Sequence, residues 1–252
     1  ELTRLGVTAP GCSAGDLPEG AHAPVLGPSS EGSAGSERSS TAGTTYEARV
    51  AIESDYQYFQ LFGSTAAALA YMTPLFAYVS AQFEVQVGTV LTYPYVGLYT
   101  TPLDPWTTGD VGGNCVDMIY EFQAAWAGGL PASADLGYLV SGAPLGCGAP
   151  RNFAVAGNQN GLTSFPVAPN ALNIDFYAAA HEIGHAFGAI HTHEHCPPLD
   201  ECPPPGLFGM CQTQQVCIYP GTLMSYCYTC GGFGNVDTVF HPESANDMRA
   251  WV

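Results

Sequence analysis

HEIGHAFGAIH, residues 181–191, is the stretch on which the reading of this 252-residue chain turns. His181 and His185 are four apart, Glu182 follows the first, and Gly188 and then His191 close the run. On a helix, side chains at i and i+4 share a face, so His181 and His185 can aim their imidazoles at one metal ion. Glu182 lies about 100° round the same helix, close enough to reach a water on that metal without ligating it. His191 is too far along to reach the ion if the helix runs straight on. Gly188 removes the difficulty, because a residue without Cβ readily takes the left-handed conformation that turns a chain at a helix end. Three neutral nitrogens and an open fourth position are the donor set of a catalytic zinc site.

The competing reading is a helix with ordinary core histidines. A bare HExxH arises by chance easily; the extended pattern fixes five positions, which chance rarely supplies.

The bulk composition narrows the function classes. Apolar residues make up 46% of the chain, enough for a sizeable core. No apolar run reaches the ~20 residues of a membrane span. Acidic residues number 22 against five basic ones, all arginine, giving a formal charge of −17. That argues against nucleic acid or an anionic membrane as partner. The chain opens on Glu1 with no basic-then-apolar leader after it, and reads as a processed or trimmed product. Nine cysteines, six of them between Cys196 and Cys230, favour disulfides in an oxidising compartment over a zinc knuckle at Cys227 and Cys230. The count is odd, so one thiol is left over. No Asn-X-Ser/Thr sequon occurs, and the acidity leaves room for Ca²⁺ although no EF-hand-type loop is present.

Along the chain, residues 1–44 read as an N-terminal piece carrying Cys12, followed by a Gly/Ser/Thr-rich flexible linker. From Tyr46, YEARVAIESDY alternates as a half-buried strand does. Residues 56–83 have helical spacing, with Gly63 or Pro74 as breaking points. Residues 83–100 read as one or two strands around Gly88 and Pro94. CVDMIYEFQAAWAG (115–128) reads as a helix, and LGYLVSG (136–142) and NFAVAG (152–157) as short strands. Residues 174–190 form the motif helix, with Asn173 as its candidate cap. The tail after His191 is Pro-, Cys- and Gly-rich with little periodicity, and depends on disulfides for order. The sum is an α/β body with a small irregular lobe.

Downstream lies Met224, in GTLMSYC. A methionine is usually core filler, but paired with HExxHxxGxxH it matters. At His181, Glu182, His185, Gly188, His191 and Met224 the chain resembles the metzincin zinc peptidases. Its element order and cysteine-rich tail look most like the reprolysin (adamalysin) branch. Two features depart from that branch. Thr192 follows the third histidine, as in pappalysins, where reprolysins carry Asp. Tyr226 sits two after Met224, a spacing typical of astacins and serralysins, in which that tyrosine is an extra zinc ligand.

The resemblance implies an α/β (α+β) fold: a twisted, mostly parallel sheet with long helices and an active-site helix, then a small disulfide-rich C-terminal subdomain. It covers residues 45–252, divided into an upper part, 45–191, and a lower part, 192–252. It implies a secreted zinc-dependent endopeptidase acting on proteins or peptides. His181, His185 and His191 would hold one Zn²⁺, Glu182 would serve as general base, and Met224 would form an apolar floor. Tyr226 would hydrogen-bond the oxyanion, or else is a buried tyrosine of the turn. Fold analogy places substrate along an edge strand, for which NFAVAG is the candidate. His193 and His195 do not match the ligand spacing and read as surface histidines or a weak second metal site. Cys12 is either disulfide-bonded or a latency thiol whose sulfur closes the fourth zinc position, which would make the chain a zymogen. A catalytically silent binding or adhesion module, and a hydrolase of another amide bond, are the alternative functions. Retention of Glu182 and all three ligands speaks against the silent module.

Overall fold

The alternating run YEARVAIES forms strand β1 (Tyr46–Ser54), in a computed structural model that describes residues 45–113, 115–143, 145, 164–166, 172–207, 211–218 and 220–252. Helices α1 (Tyr56–Phe62) and α2 (Thr65–Val87) follow, then β2 (Thr89–Val96), α3 (Thr107–Asp110) and α4 (Cys115–Ala125). The chain continues through β3 (Leu136–Ser141), β4 (Ser164–Pro166), α5 (Leu172–Ala186) and, near the end, α6 (Pro242–Ala250). Among the described residues four strands pair in the order β2-β1-β3-β4, each pairing parallel.

Parallel strands need crossovers, and crossovers cover both faces of a sheet. On one face, Val50 and Ile52 of β1 and Leu136, Tyr138 and Val140 of β3 join Met72, Phe76, Val79 and Phe83 of α2 and Ile183 of α5. On the other, Leu139 packs with Trp106 and with Met118, Ile119 and Phe122 of α4. Neighbouring residues of β3 thus serve opposite layers, as the period of two demands.

Several sequence expectations change here. The helical stretch from Tyr56 breaks at Gly63 and not at Pro74, which lies inside α2. Burial of Met72, Leu75, Phe76 and Val79 on both sides of Pro74 offsets the lost hydrogen bond, which costs ~3 kcal/mol. Residues 83–87 stay helical, because α2 runs on to its cap at Gly88, and 89–96 is one strand. Asn173 lies inside α5, which begins at Leu172, so it does not precede the helix as a cap. The tail is less irregular than expected, since α6 starts cleanly with Pro242 in its first turn and His241 accepting the Glu243 amide at 3.2 Å. NFAVAG, Cys12 and the linker lie outside the described residues.

Two carboxyls are buried where β1 ends. Asp55 caps α1, accepting from the amides of Tyr58 (2.6 Å) and Gly142 (2.9 Å) and from the Ser141 hydroxyl. Glu53 accepts from the Tyr95 hydroxyl at 3.0 Å and the Ser54 amide at 3.3 Å. Burial pushes the Asp55 carboxyl up to about 6 and Glu53 from 4.5 up to about 7. A raised folded value means the folded state holds more protons than the unfolded one, so stability falls as pH rises through this range. For Glu53 the loss runs from about 4.5 to about 7 and levels off above. Glu53→Gln is expected to flatten that part of the curve, measured by urea unfolding at steps between pH 4.5 and 8. Parallel curves for the two proteins would refute the assignment.

Candidate metal centre

The helix carrying the motif sits mostly in the core: Ala178, Ala179, Ala180, Ile183 and Ala186 are all buried. It ends at the glycine picked out above. Gly188 has φ +91°, its amide donates to the His185 carbonyl (2.9 Å), and the Ala189 amide donates to that of Gly184 (3.1 Å). This double bond pattern is the Schellman C-cap, and it turns the chain so that His191 swings back beside the helix. The same turn presents the Ala189 carbonyl to His185 Nδ1, at 2.7 Å.

Each of the three imidazoles has its Nδ1 engaged. His181 Nδ1 donates to the Leu223 carbonyl (2.6 Å), His185 Nδ1 to that of Ala189, and His191 Nδ1 to Glu194 Oε2 (2.6 Å). A carbonyl or carboxylate can only accept, so in the neutral form that ligates metal the ring proton of each imidazole is on Nδ1 and each Nε2 carries a bare lone pair. The Nε2 atoms of His181 and His191 both stand 3.1 Å from that of His185. With no proton between them these contacts are not hydrogen bonds; the lone pairs face one another and need a shared cation. Nitrogens about 2.1 Å from a tetrahedral zinc would be about 3.4 Å apart, close to the spacing seen. Burial first, then the neighbouring imidazoles, holds His181 well below the usual histidine value, and burial and His191 bring His185 down to about 3. Both stay neutral and able to ligate throughout the physiological range. The donor set fits zinc.

Glu182 is buried beside the first ligand, and its Oε2 has no protein partner. Desolvation alone pushes its carboxyl up to about 8. A dication held by the triad would pull it down again. A buried carboxylate oxygen without a protein donor suits a group that handles protons on water. Met224 is fully buried, and Tyr226 has its ring centre 4.5 Å from that of His191 and 6.0 Å from that of His181. The structure therefore brings together His181, Glu182, His185, His191, Met224 and Tyr226. Cys12 lies outside the described residues.

His193 is a correction. It is not a surface histidine but fully buried, with Nε2 at 2.9 Å from the Leu207 carbonyl and its ring stacked 5.3 Å from that of His191. His195 stands 3.7 Å from Asp247, and neither joins a cluster of ligand atoms among the described residues. The zinc-knuckle alternative also goes. Cys227 pairs with Cys202 and Cys230 with Cys217, beside a third disulfide between Cys196 and Cys211. Asp200 lies near Cys202 and Cys227, but those sulfurs are bonded to each other and cannot ligate.

Other residues shape the site too, and of these Gly184, Tyr177 and Glu194 carried no clear signal in the sequence. Gly184, inside the motif, leaves room for Met224 against α5. A Cβ there would stand 2.7 Å from Met224 Sδ and 3.3 Å from Phe240 Cε1. Thr192 binds the turn to the motif, its amide donating to the Met224 carbonyl (3.0 Å) and its hydroxyl to Asp200. Tyr177, one helical turn before His181, donates to the Ser225 carbonyl at 2.6 Å. Glu194 holds His191.

A family model described as metallo-peptidase family M12, of the reprolysin type, matches residues 44–237. The chain belongs to that family. This member of the M12 metallo-peptidase family carries a histidine triad that fits a metzincin zinc site, on a mixed α/β fold with a small parallel sheet. No curated protein matches it significantly. Among solved structures, one titled "Structure of a chaperone-substrate complex" is similar at 18% identity and a TM-score of 0.42. That likeness covers 58% of this chain and 27% of the other, so the chain spans little over a quarter of that structure's length.

Proposed function

We propose that the chain is a secreted zinc endopeptidase, with residues 45–252 as its catalytic domain. One observation carries the reading: three imidazoles have all their protons committed outward, leaving three Nε2 lone pairs converged on one point. Zinc bound there would supply a Lewis acid and bring the pKa of water toward ~7. The chain's own residues do the rest. Glu182 accepts the proton of the attacking water and passes it to the leaving amine. His181 and His185 are held by main-chain carbonyls, so little reorganisation is needed as charge develops. Tyr226, whose ring lies beside that of His191, is assigned the oxyanion-steadying hydroxyl in this reading. Three disulfides in the last quarter of the chain fit an oxidising, extracellular setting. Among the described residues no helix is long and apolar enough to cross a membrane.

Elemental analysis of the purified protein, paired with incubation against a denatured protein substrate, tests the reading. One zinc per chain and cleavage at internal bonds are expected. Stoichiometric zinc without cleavage would favour the silent binding module; absence of zinc would overturn the zinc-peptidase reading.

A further inference from the structure

We propose that Glu194 is the positioning residue for His191, and that its carboxylate sets how tightly the triad holds zinc. The inference rests on the zinc reading above. The three ligands are not held alike. His181 and His185 stand on α5, and their Nδ1 atoms are fixed by the carbonyls of Leu223 and Ala189, which belong to the main chain. His191 comes after the helix has ended, in an extended conformation (φ −62°, ψ 146°) that by itself fixes neither its ring nor its place. Its ring is held by a side chain. Glu194 Oε2 accepts from His191 Nδ1 at 2.6 Å and from the His191 amide at 3.1 Å, so a single oxygen fixes both the ring and the backbone of the third ligand.

The chain builds this arrangement with a short 3-10 turn, Thr192–Glu194, which folds the carboxylate back over the ligand three residues earlier. The turn has other supports. Glu194 N donates to the His191 carbonyl at 3.0 Å, and Thr192 N to that of Met224 at 3.0 Å. The turn can therefore outlast the loss of the Glu194 side chain, which separates a metal-positioning role from a purely structural one. Where a carboxylate accepts the outer N–H of a ligating imidazole, it fixes the tautomer and the aim of the other nitrogen. Removing such a partner typically costs 10–100-fold in metal affinity.

The test compares wild type with Glu194→Ala and Glu194→Gln. Zinc dissociation constants are read by competition with a chromophoric chelator, and thermal midpoints of the metal-free proteins are read by circular dichroism. Glu194→Ala is expected to weaken zinc by roughly 10–100-fold with the metal-free midpoint little changed. Glu194→Gln, whose amide oxygen still accepts from Nδ1, should fall in between. Zinc affinity of Glu194→Ala within about twofold of wild type overturns the proposal. A lowered midpoint with unchanged affinity also overturns it, and leaves Glu194 as a cap of the turn. If the alanine variant does not fold, the glutamine variant carries the same comparison. If wild type binds no zinc, the functional reading itself fails, a result distinct from either of these.

Discussion

Glu182→Ala is expected to lower kcat by roughly 10²–10⁴-fold while the protein keeps its zinc and its fold. The size of the effect follows from what a positioned general base contributes, and the retained zinc from the fact that all three converging nitrogens belong to other residues. Glu182 is buried, and one of its oxygens has no protein donor. Removing it therefore breaks no hydrogen bond at that atom and takes away a buried carboxyl with an unsatisfied oxygen, so folding stability should hold or rise. The measurement is kcat and KM on a peptide substrate, with zinc content determined on the same preparation. Glu182→Gln, which keeps the shape but cannot take up the proton, should lose nearly as much. A loss below tenfold in both variants would remove Glu182 from the chemistry.

The second large effect concerns stability. Replacing Cys202 and Cys227 together by alanine is expected to cost about 3–4 kcal/mol, the chain-entropy value for a loop of this length. The bridge spans 25 residues of sequence and its two sulfurs are almost wholly buried. Cys227 directly follows Tyr226, and Leu223 and Met224 lie just upstream. Loosening this segment frees the carbonyl that fixes His181 and the methionine that packs on Gly184. Zinc affinity should therefore drop together with stability. Urea unfolding with the other two disulfides intact measures the first, and chelator competition the second. A loss under about 1 kcal/mol would mean that Tyr177 and Thr192 hold the turn without help from the bridge.

The parts of the site legible in the sequence are those where one residue type at one spacing answers one geometric need. Two histidines at i and i+4, and a glycine where the chain must turn, are such parts, and the structure places them accordingly. The strands at 46–54 and 136–141 were readable for the same reason, because β-branched and apolar residues bounded by turns fit little else. What stayed hidden depends on main-chain groups or on close approach. The Leu223 and Ala189 carbonyls that orient two ligands leave no mark in side-chain chemistry. Gly184 looks like any variable position of the motif until Met224 is seen against it. Glu194 looks like a surface acid until a 3-10 turn folds it back. Residues 83–87 misled because Phe and Val favour strands, yet the α2 helix extends through them where Phe83 and Val87 can be buried in the core.

Trp251 has a consequence for how the centre can be watched. A Cβ on Gly188 would fall 1.9 Å from its Nε1, so the indole lies directly on the turn that delivers His191. Trp106, wholly buried, and Trp126 both belong to the opposite layer of the sheet. One of the protein's three tryptophans is thus in contact with the hinge of the ligand set and the other two pack in the other core cluster. A shift of this turn on zinc binding would act on one tryptophan alone, so intrinsic fluorescence would follow it with no label attached.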